Sequence, residues 1–145
     1  MNASQIFQIV NPLAGMAWIL LIVIPNWKYT KLITSVILPA LIFAGIYVFS
    51  LGLSFGHSEG GFGSLEEVRS LFANDNALLA GWIHYLAFDL FVGTWEMEDS
   101  QKNGISRFIV APCMFLTFMF GPTGLLCYTV IKLIIKKNLS SSINV

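Results

Sequence analysis

The chain is organised around one segment, which reads Gly81-Trp82-Ile83-His84-Tyr85-Leu86-Ala87-Phe88-Asp89-Leu90-Phe91-Val92-Gly93-Thr94-Trp95. This segment is apolar enough to lie deep in a lipid bilayer, yet it contains His84 and Asp89. Ionisable side chains at membrane depth cost free energy, so by default they mark functional positions. We therefore base the functional interpretation on these two side chains.

The composition is that of an integral membrane protein. Mean hydropathy is +0.74 and 11% of the residues are charged, against about a quarter in a soluble domain. The 145 residues can supply about four spans of about 20 residues each, which leaves no room for a second domain. Net charge is zero and there is no basic patch. We therefore expect membrane lipids and lipophilic molecules as partners, and no nucleic acid.

Apolar runs predict an all-α integral membrane protein, a four-transmembrane-helix bundle that forms one domain over 1–145. The predicted spans are about 5–24, 32–55, 77–95 and 105–135, followed by a polar tail at 136–145. The last run is too long for a perpendicular crossing and contains Pro112 and Gly121-Pro122, so it predicts a tilted or kinked helix. Cys113 and Cys127 would then lie about 21 Å apart on one helix, too far to form a disulfide.

A short amphipathic helix is predicted between the second and third spans. Ser64 is a plausible N-cap with Glu67 three residues later, and the apolar residues that follow share one face. We expect this helix to lie on the bilayer surface, either over a pocket or as a plain connector. Asn74 should then cap the third span.

The first span has two features of its own. No charged residue precedes Lys28 and no clean small-residue cleavage site is present, so we expect no removable signal peptide. Asn11-Pro12 allows two interpretations. Either Pro12 is the first helical residue and Asn11 an interfacial N-cap, or the Asn11 amide faces a pocket inside the bundle.

Basic residues divide equally between the two predicted membrane sides. One side has Lys28, Lys31, Lys102 and Arg107, and the other has Arg69, Lys132, Lys136 and Lys137. Equal numbers do not decide the orientation. If the first span dominates, both termini lie outside the cytoplasm.

Helical spacing divides the third span into two faces. One holds Trp82, Tyr85, Asp89, Gly93 and Glu96, and a neighbouring one holds Ala80, His84, Phe88, Phe91 and Trp95. His84 and Asp89 are about 140° apart in projection. They should not bond each other, but both could border one aromatic groove. The charged segment after Trp95 predicts a return to water, with Glu98 and Asp99 as a solvated rim and Glu96 as an extension of the Asp89 face.

Several stretches together resemble one known family. They are Gly60-Gly61-Phe62-Gly63-Ser64-Leu65, the run from Gly81 to Gly93 quoted above, Pro112-Cys113-Met114-Phe115-Leu116-Thr117-Phe118, and Phe120-Gly121-Pro122-Thr123-Gly124-Leu125-Leu126. The pattern is similar to the ABA4-like membrane protein family over nearly the whole chain, and its most specific part is His-x-x-x-x-Asp-Leu-Phe-Val-Gly. Plant members are named for abscisic acid deficiency and are needed to form neoxanthin from violaxanthin. The resemblance implies a carotenoid or related isoprenoid ligand, and the short chain implies a bacterial inner-membrane member.

The chemistry that the resemblance implies is an isomerisation. Converting a carotenoid epoxide to an allenic alcohol needs an acid at the epoxide oxygen and a base at a vinylic proton, so we expect no metal or redox cofactor. A carboxyl buried in lipid can stay protonated, so Asp89 could donate, and a neutral His84 could accept. Tyr85 is the third catalytic candidate, as a hydrogen-bond donor. The candidate ligand-binding residues are Asn11, Trp82, Phe88, Phe91, Trp95 and Glu96.

Alternatives remain for both the site and the function. His84 and Asp89 could tie spans together by hydrogen bonds, and aromatic residues at helical spacing are more often bundle core than ligand site. A metal site could use His84, Asp89, His57 and the Glu66-Glu67 pair, although no ligand spacing supports one. The function classes that stay open are a membrane enzyme, a noncatalytic pigment or partner-enzyme binder, and a proton or solute conductor. A homo-oligomer also stays open.

Overall fold

A computed structural model describes residues 1–56 and 59–143, with side chains up to Lys137. Its helices are α1 Ala3–Val23, α2 Thr30–Ser54, α3 Leu65–Leu71, α4 Asp75–Lys102, α5 Arg107–Phe120 and α6 Pro122–Ile143. The described part of the chain contains no strand, so the all-α prediction is confirmed. Helices α1, α2 and α4 are long and apolar enough to cross a membrane.

Helix α4 is the central element, and the other long helices pack against it. It begins where predicted, because the Asn74 side chain accepts hydrogen bonds from the amides of Asn76 and Ala77 at 2.9 and 3.2 Å. It does not end near Trp95. The charged segment stays helical to Lys102, and its carboxylates are paired by neighbouring helices, as described below.

Helix α1 runs parallel to α4. It begins with a capping box in which Asn2 and Gln5 exchange hydrogen bonds of 2.9 and 3.0 Å. Pro12 therefore lies inside the helix, and the prediction that it is the first helical residue is wrong. A Cβ atom on Gly93 would lie 2.2 Å from the Trp18 ring, so glycine is what lets α1 approach α4 this closely.

Helix α2 runs antiparallel to α4. Thr34 lies against Thr94 at 2.9 Å between hydroxyl oxygens, and Lys31 Nζ lies 2.8 Å from Glu98 Oε1. The middle of α2, Ile33–Phe43, is a π-helix that contains Pro39. A π turn is wider than an α turn, and proline has no amide hydrogen to donate. The apolar run that predicts this span carries no signal for a π-helix.

Helices α5 and α6 form a hairpin, so the prediction of one continuous fourth helix is wrong. The chain reverses at Gly121, whose φ of +48° is a left-handed conformation that favours glycine. The sulfur atoms of Cys113 and Cys127 lie 3.5 Å apart, so the predicted separation of about 21 Å is also wrong. Both cysteines are free thiols.

The hairpin enters and leaves on the same side of the bundle. Its tip, Gly121, lies against Asp89, which is halfway along α4. On α6, which runs from this tip toward the Lys102 end of α4, Lys132 forms an ion pair with Asp99. The arrangement is therefore three long helices plus a hairpin that reaches about half the length of α4, and the prediction of four spans is not confirmed.

Helix α3 lies in the connection between α2 and α4, at the Asp75 end of the bundle. Ser64 caps it as predicted, with its hydroxyl accepting from the Glu67 amide at 3.2 Å. Glu67 in turn accepts from the Gly63 amide at 2.9 Å. The placement of α3 on the bilayer surface stays a prediction.

Candidate functional site

An apolar groove lies between α2 and α4, with a volume of about 480 Å³. Its lining residues are Ser35, Pro39, Ala40, Ala44, Tyr47, His84, Ala87, Phe88 and Phe91. The α2 wall comes largely from the π-helical segment, where Pro39 and small side chains stand in place of bulky ones. The groove therefore lies between this part of α2 and the segment of α4 quoted at the start.

His84 is the one ionisable group among the groove-lining residues apart from the Tyr47 phenol. Its ring stacks on Phe88 with centroids 4.5 Å apart and lies 6.0 Å from the Tyr47 ring. Within residues 1–56 and 59–137 no side chain or backbone group forms a hydrogen bond with the imidazole. Both ring nitrogens are therefore available to a molecule in the groove.

Aromatic side chains continue the groove along α4. Phe88, Phe91 and Trp95 are 58%, 53% and 43% exposed, and their spacing of three to four residues places them on one face. Exposed aromatic rings at membrane depth suit a long apolar ligand.

Asp89 and Tyr85 face the hairpin, on another side of α4. A Cβ atom on Gly121 would lie 3.1 Å from Asp89 Oδ1, so the carboxyl sits against the hairpin tip. Its second oxygen, Oδ2, is buried and has no hydrogen-bond partner among the described residues. Tyr85 Oη donates to the Phe118 carbonyl at 2.7 Å. We call the space between Asp89, Tyr85 and Gly121 the hairpin notch.

Glu96 lies deeper in the contact between α4 and the hairpin. It is fully buried, and both of its carboxyl oxygens lie within 3.0 Å of the Thr117 hydroxyl. The structure therefore places Glu96, a predicted ligand-binding residue, away from the groove.

The side chains of Asn11 and Trp82 form a hydrogen bond. Trp82 Nε1 donates to Asn11 Oδ1 at 3.0 Å between two exposed side chains, so the amide lies on the outer surface of the contact between α1 and α4, and the interpretation of Asn11 as facing a pocket inside the bundle stays a prediction. Trp82 also contacts the Phe7 and Tyr85 rings at 5.9 and 5.3 Å and lines a separate cleft near Asp75.

The structure thus brings His84, Phe88 and Phe91 together in the groove, and Asp89 with Tyr85 in the notch. His84 and Asp89 lie on different sides of α4, as the predicted angle between them indicates. His84 faces α2 and Asp89 faces the hairpin. A ligand in the groove meets the imidazole and not the carboxyl.

Comparison with known proteins gives the family. The family model described as ABA DEFICIENT 4-like matches residues 5–128, which contain the groove, the notch and Glu96. The chain belongs to the ABA4-like family. A similar curated protein is ABA DEFICIENT 4, chloroplastic, from Arabidopsis thaliana, 27% identical over 142 residues that cover 92% of this chain. The chain spans 63% of the length of that plant protein. No solved structure matches the chain.

One group of polar residues in this ABA4-like chain was missed by the sequence analysis. Asp99, interpreted as a solvated rim residue, accepts from Tyr128 Oη at 2.5 Å and pairs with Lys132 Nζ at 2.5 Å. The continuous fourth helix put Lys132 on the opposite membrane side from Asp99, which concealed the pair. The Trp95 ring contacts both Tyr128 and Lys132, at 5.7 Å in each case.

The side chains proposed for the alternative metal site do not converge. His84 lies in the groove, Asp89 in the notch, and Glu66 pairs with Arg69 near the Asp75 end of the bundle. His57 lies outside the described residues. In the part of the chain that the structure describes, no three histidine, cysteine, aspartate or glutamate residues are grouped to hold a metal ion.

Proposed function

We propose that this ABA4-like protein binds a carotenoid or a related isoprenoid in the groove between α2 and α4. The observation that carries the proposal is an apolar groove at membrane depth whose aromatic wall contains a single imidazole without a hydrogen-bond partner in the described residues. A lipid-soluble polyene reaches such a groove directly from the bilayer, and aromatic side chains pack well against its flat chain.

The reaction we propose for the bound molecule is acid/base isomerisation of the neoxanthin-forming type. The epoxide C–O bond breaks as its oxygen takes a proton, and a vinylic proton leaves to form the allene, so the atoms balance without a redox partner. His84 reaches the ligand from the groove and can carry one of these protons. Asp89, on the hairpin side, would take part only if the ligand or the helices rearranged.

The family supports the ligand class. The plant relative is named for a deficiency in abscisic acid and is chloroplastic, and its family is linked above to neoxanthin formation. Because this chain spans 63% of that protein, the substrate of the plant protein is carried over as a proposal. We propose the inner membrane of a bacterium as the location of the present chain.

Filling the groove tests the binding step. In a carotenoid-producing host, Ala40→Phe should remove most of the polyene absorbance that co-purifies with the protein in mild detergent, because the new ring occupies the groove. Val48→Phe is the matched control, since Val48 is 65% exposed on the same helix and lies outside the groove-lining residues. Equal polyene content in both variants, or none in the unchanged protein, contradicts the groove assignment.

Substitution of His84 tests the reaction. His84→Ala should lower conversion of an epoxycarotenoid about a hundred-fold or more, the usual contribution of a general acid or base, while the polyene stays bound. Product is measured by liquid chromatography of the extracted pigments. Full activity in His84→Ala with loss in Asp89→Asn would move the reaction to the hairpin notch. Activity in neither the unchanged protein nor any variant would favour a noncatalytic binder.

A second candidate function is proton or small-solute conduction. The observation in its favour is the broken helix at Gly121, which lies halfway along α4 against a buried carboxyl oxygen of Asp89 that has no hydrogen-bond partner among the described residues. Interrupted helices with polar backbone at membrane depth are typical of transport sites. Flux into liposomes should then depend on Asp89, and flux that Asp89→Asn leaves unchanged speaks against this function.

A further inference from the structure

The proposed reaction leaves one group of polar side chains unused, at the Lys102 end of the groove. It consists of Asp99, Tyr128 and Lys132, and we call it the Asp99 cluster. Tyr128 and Lys132 both reach the same carboxyl oxygen, Oδ2. The other oxygen, Oδ1, accepts no hydrogen bond from the residues that the structure describes. The side chains of Lys132 and Asp99 are 21% and 18% exposed, so a bound molecule can reach both.

The groove leads to this cluster. Phe91 lines the groove, Trp95 follows one helical turn later on the same face, and its ring stands edge-on to Tyr128 with centroids 5.7 Å apart. Lys132 Nζ lies over the Trp95 ring at the same distance. An apolar, aromatic path along α4 therefore ends at a free carboxylate oxygen and an ammonium group with unused hydrogens.

We propose that the Asp99 cluster binds the oxygen at one end of the isoprenoid whose chain lies in the groove. This inference rests on the proposed function, because it assigns one end of that ligand to a subsite. A hydroxyl on the ligand donates to Asp99 Oδ1 and accepts from Lys132 Nζ, so both partners are satisfied. A hydrocarbon end would displace water from these charges without replacing its hydrogen bonds, which is unfavourable.

The cluster also sets the register of the ligand. His84 and Asp99 are separated by about 22 Å along α4, from the helical rise per residue. When the oxygen of the ligand is bound at Asp99, the part of the ligand beside the His84 imidazole is therefore about 22 Å from that oxygen. A linear polyene of carotenoid length covers this distance, so its opposite end group comes to His84.

The test compares two probes that differ only in oxygenation. Purified protein in phosphatidylcholine nanodiscs is titrated with zeaxanthin, which has a hydroxyl on each end ring, and with β-carotene, which has none. The unchanged protein should bind zeaxanthin at least about ten-fold more tightly, the value of one or two hydrogen bonds to charged groups. Lys132→Met should remove this preference and leave β-carotene binding unchanged.

Controls separate a local effect from misfolding. Lys31→Met is the matched control, because it breaks an ion pair between Lys31 of α2 and Glu98, the α4 residue next to Asp99. This variant should keep the preference for zeaxanthin. If Lys132→Met aggregates on size-exclusion chromatography, the double variant Asp99→Leu with Lys132→Met removes both charges together and should bind the two probes equally.

The outcomes distinguish this inference from the proposed function. Equal affinity of the unchanged protein for both probes, or a loss of both in Lys132→Met with a folded protein, overturns the Asp99 subsite and leaves the groove assignment standing. Binding of neither probe by the unchanged protein overturns the proposed function, and the subsite falls with it.

Discussion

Gly124 is the residue that lets the hairpin close. A Cβ atom at this position would lie 2.1 Å from the Thr117 amide nitrogen and 2.5 Å from the Cys113 carbonyl oxygen. Backbone atoms cannot move aside as a flexible side chain would, so any larger residue forces α5 and α6 apart. Thr117, which Gly124 contacts, also donates to the buried Glu96 carboxyl.

We therefore expect Gly124→Ala to destabilise the protein by about 1–3 kcal/mol, the range for overpacking. Thermal unfolding in detergent, followed by circular dichroism, measures this. Gly15→Ala is the matched control, because nothing lies within 4 Å of its added Cβ. That variant should gain up to about 1 kcal/mol from helix propensity. A Gly124→Ala protein as stable as Gly15→Ala would show that α5 and α6 do not pack as described.

Single residues were predictable where a local rule decided them. The Ser64 and Asn74 caps follow from side-chain chemistry, and the separation of His84 from Asp89 follows from 3.6 residues per turn. Asp99 was not predictable in the same way. Its partner depends on the path of a helix that begins more than twenty positions later, and a charged residue beside a turn signal is usually solvated.

At the scale of the elements, the hairpin differs most from expectation. Gly121-Pro122 marks a break in either case, because glycine and proline interrupt both a kinked helix and a reversed one. What decides between them is the close approach at Gly124 and the hydrogen bond from Tyr85 to the Phe118 carbonyl. The first is a contact between α5 and α6, and the second joins α4 to the hairpin, so both depend on tertiary packing. The length and apolar character of α1, α2 and α4 were predictable because each is a long uninterrupted apolar run.

The hairpin predicts that Cys113 and Cys127 can be oxidised to a disulfide within one chain. Their sulfurs lie 3.5 Å apart, so a small shift brings them to bonding distance. Copper–phenanthroline treatment should remove both free thiols from the monomer and lower its intact mass by two hydrogen atoms. Cys127→Ser should lose that mass change. Thiols that survive oxidation, or that pair only between chains, contradict the hairpin and favour the straight helix.

Across the whole molecule, charge is distributed unequally between the two ends. Lys28, Lys31, Lys102 and Arg107 lie at the Lys102 end, and the hairpin brings Lys132, Lys136 and Lys137 to the same end. Seven of the eight basic side chains are thus on one side, and Arg69 is on the other. If α5 and α6 formed one membrane crossing, Lys132, Lys136 and Lys137 would lie on the opposite side, and the basic residues would divide equally between the two sides.

Positive residues favour the cytoplasmic side, so we expect the Lys102 end to be cytoplasmic and the two termini to face opposite sides. Green fluorescent protein fused after Val145 should fluoresce in a bacterial host, and alkaline phosphatase fused there should be inactive. A phosphatase fused ahead of Met1 should be active. Both termini on the same side would restore four crossings and overturn the hairpin.

The hairpin also has a consequence for biosynthesis. Since α5 and α6 enter and leave at the Lys102 end, we expect the insertion machinery to handle three hydrophobic crossings, and Arg107–Phe120 to reach its place only after α4 is in the bilayer. Until then, Glu96 on a newly made chain has no Thr117 hydroxyl beside it and faces lipid or water. Docking of the hairpin against α4 therefore follows the insertion of α4.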